Sequence, residues 1–122
     1  MDSKSAPPKK LLALRKGKRG EWLAAMALRL KGYKIVARGF RTKTGEIDII
    51  ARKRDLIVIV EVKARKSVAG AIDAVSYTSQ QRISSAADIW VSRQPDFARL
   101  SIRFDIIAIV PGKWPRHFAD AF

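Results

Sequence analysis

Two carboxylates and a lysine project from the most apolar stretch of this chain. Glu61-Val62-Lys63 closes the aliphatic run Leu56-Ile57-Val58-Ile59-Val60, and a short basic loop separates that run from Gly45-Glu46-Ile47-Asp48-Ile49-Ile50. Stripping water from an unpaired ion is costly, so charges kept in such a strand usually have a task. In a pleated strand i and i+2 share a face, which puts Glu61 with Lys63 and Glu46 with Asp48. A hairpin loop over Lys53–Leu56 pairs Arg52 with Ile57 and sets Asp48 opposite Glu61. Directly opposed side chains have Cβ atoms about 4.5 to 5.5 Å apart, where like charges repel and something positive belongs between them. Mg²⁺ or Mn²⁺, hard cations that take oxygen ligands, suit that place. The chemistry would be phosphodiester hydrolysis, with Asp48 and Glu61 as ligands and Lys63 positioning or deprotonating water or offsetting charge on the phosphate. A slip of one residue would part the two carboxylates. The plainer reading is a structural ion pair of Glu61 with Lys63 or Arg52.

Composition agrees with a polyanionic partner. The 122 residues make one domain, and 25 Lys and Arg against 11 Asp and Glu leave a net charge of +14. Nucleic acid is the first candidate. A membrane surface is disfavoured because the basic residues are spread along the chain and not gathered on one amphipathic helix. With no cysteine and one histidine, disulfides, thiolate sites and His-rich zinc sites drop out. No apolar run approaches the roughly 18 residues of a spanning helix, and the first residues lack a signal-peptide core, so the expected location is the cytoplasm.

The elements that must position these side chains follow from periodicity and punctuation. Residues 1–16 read as a flexible basic arm and 17–122 as a single domain. A first helix is expected from Lys18 to Lys31, with Leu23, Ala27 and Leu30 as its buried stripe and Gly32 ending it. Glu21, in its opening turn, either complements the helix dipole or faces inward with Ala24, Ala25 and Leu28. Tyr33–Phe40, Gly45–Arg52 and Leu56–Arg65 read as a three-strand meander, the last buried on both faces. Thr78 and Gln81 match a capping box that opens a second helix, whose Ile83, Ala86, Ala87, Trp90 and Val91 form a core stripe. Leu100–Val110 is a fourth strand, reached by a crossover. The expected fold is α/β, a mixed central sheet flanked by helices. Gly45 allows a turn or a close backbone approach, and Glu46 gives electrostatic support. Arg38, Arg41, Lys43, Arg65 and Lys66 bracket the carboxylate face and would hold phosphates, or are ordinary solvated charge. His117 falls in a Pro-rich peripheral tail with no expected role. Trp22, Trp90, Trp114, Phe118 and Phe122 are candidates for a dimer surface or for core caps.

Asp48, followed after a hairpin by Glu61-Val62-Lys63, resembles the PD-(D/E)xK nuclease core. More narrowly, Gly20-Glu21, Gly32-Tyr33, Arg38, Arg41, Gly45 to Asp48, Glu61 to Arg65, Arg103-Phe104-Asp105 and Ala121-Phe122 resemble the YraN-like family, also called UPF0102, which is similar to archaeal Holliday junction resolvases. The likeness runs from about Gly17 to the end of the chain. It implies a restriction-endonuclease-like fold and a Mg²⁺- or Mn²⁺-dependent endonuclease acting on DNA, branched DNA in particular. Glu21 and the backbone carbonyl of Val62 would join the metal ligands, Gln80-Gln81-Arg82 would lie beside the site with Arg82 on nucleic acid, and junction cleavage would need a symmetric homodimer. Where the family commonly has a lysine this chain has Ser79, which weakens a catalytic role for that helix. The alternatives are a non-catalytic nucleic-acid-binding module on the same fold and, further off, a basic protein docked on ribosomal RNA, for which no RNA-reading motif speaks.

Overall fold

A computed structural model describes the backbone of residues 9–122 and the side chains of residues 18–122. Met1–Pro8 of the anticipated arm lie outside the described residues. The elements run α1 (Lys9–Leu30), β1 (Lys34–Arg41), β2 (Glu46–Lys53), β3 (Leu56–Ala64), α2 (Val68–Asp73), α3 (Tyr77–Ser92), β4 (Ser101–Ile109) and β5 (Arg116–Phe118). They build one sheet in the order β1-β2-β3-β4-β5, antiparallel throughout except between β3 and β4. Parallel neighbours need a long crossover, and α2 and α3 supply it. The result is the α/β mixed sheet flanked by helices that the sequence calls for.

Each face of the sheet has its own core. Ala24, Ala25 and Leu28 of α1 pack on Ile49, Ala51, Val58, Val60 and Ile107. On the opposite face Ile83, Ala86 and Ala87 of α3 pack on Ile47, Ile50, Ile57, Ile59 and Ile106. The central strand β3 is therefore buried on both sides from Ile57 to Glu61, as its aliphatic run implies.

The expected register holds: Arg52 faces Ile57 and Ile49 faces Val60. The turn is tighter than expected, because Lys53 and Leu56 already pair and only Arg54 and Asp55 turn the chain, with Arg54 left-handed at φ 57°. Three other expectations are corrected. Helix α1 starts at Lys9, inside the anticipated arm. Of its expected stripe Ala27 is buried, but Leu23 is only half-buried and Leu30 is exposed; the small residues Ala24 and Ala25 with Leu28 let the helix sit close to the sheet. Helix α3 is capped by Ser76, whose hydroxyl accepts from the Ser79 N–H, and not by Thr78. Two elements were not expected, the short α2 capped by Ser67 and the edge strand β5. Trp90 and Phe122 cap the α3-side core, whereas Trp22 and Trp114 are exposed. Among the described residues no helix is long and apolar enough to cross a membrane.

Candidate functional site

The β2–β3 ladder stops at Ile49↔Val60, one step short of the two carboxylates. At the next position Val62 N–H donates to Asp48 Oδ2 at 2.9 Å, so a side chain takes a bond that a strand backbone would otherwise make. The N–H and C=O of one strand residue point toward the same neighbour. The Val62 carbonyl therefore also faces β2, beyond the last residue pair of the ladder.

The neighbouring strand is irregular at the same level. Gly39 takes φ 64°, a left-handed conformation that favours glycine. Ala37 and Phe40 both pack on the α3-side core, and so do their partners Ile50 and Ile47, whereas Ile49 packs on the α1 side. Strict alternation is thus broken between Ile47 and Ile49. Asp48 lies at the break and its carboxylate can serve both faces of the sheet.

From the α3 side Asp48 meets Glu61, which is only 7% exposed. Burial, then the hydrogen bond and charge of Asp48, raise the Glu61 carboxyl to about 9, and Lys63 on the same face only partly opposes this. From the α1 side Asp48 is approached by Glu21. The Glu21 carboxyl is also raised, first by burial and next by Asp48, with Arg38 acting in the opposite direction. Because α1 starts at Lys9, Glu21 lies mid-helix and not in the expected opening turn; of its two expected readings the structure fits the inward-facing one, with Ala24, Ala25 and Leu28. Glu46 adds negative charge to both carboxyls, although its own side chain reaches Arg41 at 3.4 Å on the surface.

An all-oxygen donor set of Asp48, Glu61 and the Val62 carbonyl suits a hard divalent cation. The fit is also electrostatic, because burial and the neighbouring Asp48 raise the Glu61 carboxyl, and a positive charge there would relieve both. Among the described residues, however, no three acidic or histidine side chains converge as a ready ligand group. By the pleat, Glu61 belongs to the face of Ile59 and Glu21 comes from α1 on the other face, so Asp48 is what they share.

The expected phosphate-holding residues fall into three places. Arg38 lies near Glu21, and Arg41 is paired with Glu46. Lys43 and Arg82 line a groove between the β1–β2 loop and α3, together with Thr42, Thr44, Gly45, Glu46, Thr78, Gln81 and Ser85. Gly45 makes the predicted close approach, since a Cβ there would lie 2.5 Å from the Arg82 carbonyl oxygen. Arg65 and Lys66 line a second groove with Arg19, Gly20, Leu23 and Ile109, past the end of β3.

Sequence reasoning overlooked a second buried carboxylate. Asp105 on β4 is fully buried and takes two bonds from Arg103, at 2.8 and 2.7 Å, one from the Asp120 N–H at 2.9 Å and one from His117 Nε2 at 2.6 Å. Lys31 Nζ donates to His117 Nδ1 at 3.0 Å, so the ring gives its other nitrogen's proton to Asp105. Arg103 also bonds the Tyr33 hydroxyl at 2.9 Å. These partners outweigh burial and hold Asp105 down at about 2. His117 is thus anchored on β5 and not in a loose tail. The signal in the sequence was Arg103 two residues before Asp105, on one face of one strand.

A family model described as uncharacterised protein family UPF0102 matches residues 20–109. A UPF0102 protein of Chelativorans sp. (strain BNC1) is 60% identical over 110 residues, 90% of this chain and 89% of that protein. One from Mesorhizobium japonicum is 59% identical over 110 residues, covering 90% of this chain and 88% of the relative. A third, from Rhizobium meliloti, is 54% identical over 122 residues, the whole of both chains.

Proposed function

The chain belongs to the uncharacterised protein family UPF0102, and from its carboxylate site we propose a Mg²⁺- or Mn²⁺-dependent endonuclease that hydrolyses phosphodiester bonds of DNA, branched forms among them. One observation carries the reading: buried Glu61 lies against Asp48, a second carboxylate, where the β2–β3 ladder ends. A fold that needed only stability would fill that place with a cation or an apolar side chain.

When bound there, a divalent cation would polarise the phosphate and acidify an attacking water. The chain's own part is to hold and orient. Asp48, tied to the Val62 N–H, has a fixed carboxylate direction. Glu61 is held in a strand buried on both faces, so its position is set by packing. Lys63, two residues on and on the same face, is placed to carry a proton to or from water or to balance charge on the phosphate. Glu21 supports Asp48 from α1 and biases the site further toward cations. Arg38, Lys43 and Arg82 would hold flanking phosphates, in keeping with a net charge of +14. The reading places the protein in the cytoplasm, and a four-way junction as substrate would call for a symmetric dimer.

A second reading is a nucleic-acid-binding module that keeps the fold without cutting, which the net charge of +14 and the Lys43 and Arg82 groove would serve equally well. Linear, flapped and four-way DNA incubated with Mg²⁺, Mn²⁺ or chelator, beside Asp48→Asn, separates the two. Metal-dependent cleavage that vanishes in the variant supports the nuclease. Salt-sensitive binding with no cleavage of any substrate supports the module.

A further inference from the structure

The groove between the β1–β2 loop and α3 adjoins the carboxylate site, since Glu46 lines it and also acts on Glu61 and Glu21. Its walls are set firmly. Thr42 N–H bonds the Gly45 carbonyl at 2.8 Å, and the Thr42 hydroxyl takes the Thr44 and Gly45 N–H groups at 3.2 and 3.0 Å. Gly45 then packs directly on the α3 backbone at Arg82. The lining is hydroxyl-rich, with Thr42, Thr44, Thr78 and Ser85, and carries Lys43 and Arg82. Neither cation is in an ion pair among the described residues, whereas Glu46 is already matched by Arg41. Free cations beside several hydroxyls are a track for phosphates.

At the lip of this track stands an aromatic ring with no packing role. Tyr77, the residue before Thr78, is 72% exposed, and its hydroxyl is bonded by the Gln81 amide, one of the groove residues. In an intact duplex the base faces are stacked inside, so an exposed ring beside a phosphate track has nothing to meet. A strand with unpaired bases offers both of the surfaces required, phosphates for Lys43 and Arg82 and a base face for Tyr77.

We propose that this groove binds an unpaired polynucleotide strand, with Tyr77 as the platform on which a base stacks. The inference rests on the nucleic-acid reading of the adjoining site and sharpens it, because the preferred substrate becomes one with a single-stranded portion.

The test is fluorescence anisotropy of the full chain in chelator, with labelled oligothymidylate, oligouridylate and a blunt DNA duplex. Tyr77→Ala is expected to weaken oligonucleotide binding about tenfold and duplex binding by less than about twofold, while Tyr77→Phe and Tyr77→Trp stay within about twofold of the parent. A loss confined to oligothymidylate names DNA as the strand, one confined to oligouridylate names RNA, and a loss on both names a groove indifferent to the sugar. An unchanged Tyr77→Ala, an equal loss on duplex, or a Tyr77→Phe as weak as the alanine variant overturns the proposal. Because binding is read without metal, failure of the nuclease reading alone would leave this result standing.

Discussion

Two buried carboxylates on neighbouring strands meet opposite fates. Asp105 on β4 is surrounded by donors that the chain itself supplies: a guanidinium, an imidazole and a backbone N–H. Glu61 on β3, at the next position along the sheet, has another carboxyl as its partner. Burial penalises both. Hydrogen bonds and charge then carry Asp105 down to about 2, while Asp48 adds to burial and pushes Glu61 up to about 9. The chain itself answers the charge of one buried carboxylate, whereas burial and a like neighbour keep the other protonated. The contrast separates a charge the fold satisfies from a carboxyl for which a ligand is proposed.

The sharpest break in this comparison would come from activity. Asp48→Asn keeps an oxygen that can accept the Val62 N–H, so the fold should hold, yet it removes the charge at the centre of the site. Cleavage is expected to fall by about 10²-fold or more, and unchanged cleavage of flapped or four-way DNA would sink the catalytic assignment. Next in size is a pair of isosteric changes with opposite signs. Asp105→Asn leaves the half-buried Arg103 facing a neutral amide at a fully buried position and should cost about 2 to 3 kcal/mol in urea unfolding. Glu61→Gln removes a group that must otherwise stay protonated, so at pH 8 without metal it should stabilise by on the order of 1 kcal/mol. Destabilisation of similar size by both would erase the distinction.

The legible part of the molecule was the part governed by the strand period. The β2–β3 register, the shared face of Glu61 and Lys63 and the double burial of β3 all follow from alternation and an apolar run, which packing enforces along the whole strand. Helix α1 was misread because Leu23 and Leu30 outweigh alanine in any hydrophobicity pattern, yet close approach to a sheet favours small residues. The break in alternation at Asp48 was invisible, since it depends on Gly39 of the neighbouring strand and on a side chain replacing a backbone acceptor. The Asp105 cluster was hidden for a related reason. It gathers the turn after α1, β4 and β5 through Lys31, Arg103 and His117, and no local window holds all three.

The two carboxylates also predict opposite slopes of stability with pH. Asp105 titrates lower in the folded protein than its ordinary 3.8, so its contribution is present above that value and is lost as pH falls toward about 2. Glu61 titrates higher than its ordinary 4.5, so the folded state holds the extra proton and stability declines as pH rises from there toward about 9. Chemical denaturation across pH without metal should show both limbs. Glu61→Gln should remove the larger part of the alkaline limb, leaving the share of the also raised Glu21, and spare the acid one. Mg²⁺, by binding the ionised pair, should raise stability most at the alkaline end; a pH profile that Mg²⁺ leaves untouched would argue against a cation at this site.

The smallest effects are expected where charge is exposed and the chain has matched it only loosely. Arg41 meets Glu46 at 3.4 Å, with side chains that are largely in solvent, so Arg41→Ala should change stability by less than about 0.5 kcal/mol. Its consequence for binding is more informative. If Arg41 holds a phosphate, its loss lowers the slope of log affinity against log salt by about 1. If it serves only to balance Glu46, its removal frees a negative charge beside Lys43, and affinity falls with the slope unchanged. Salt titrations of parent and variant on the same duplex tell these apart. They extend the contrast between Asp105 and Glu61 to the surface, where a cation that answers a neighbour in the fold is distinguished from one that answers a ligand.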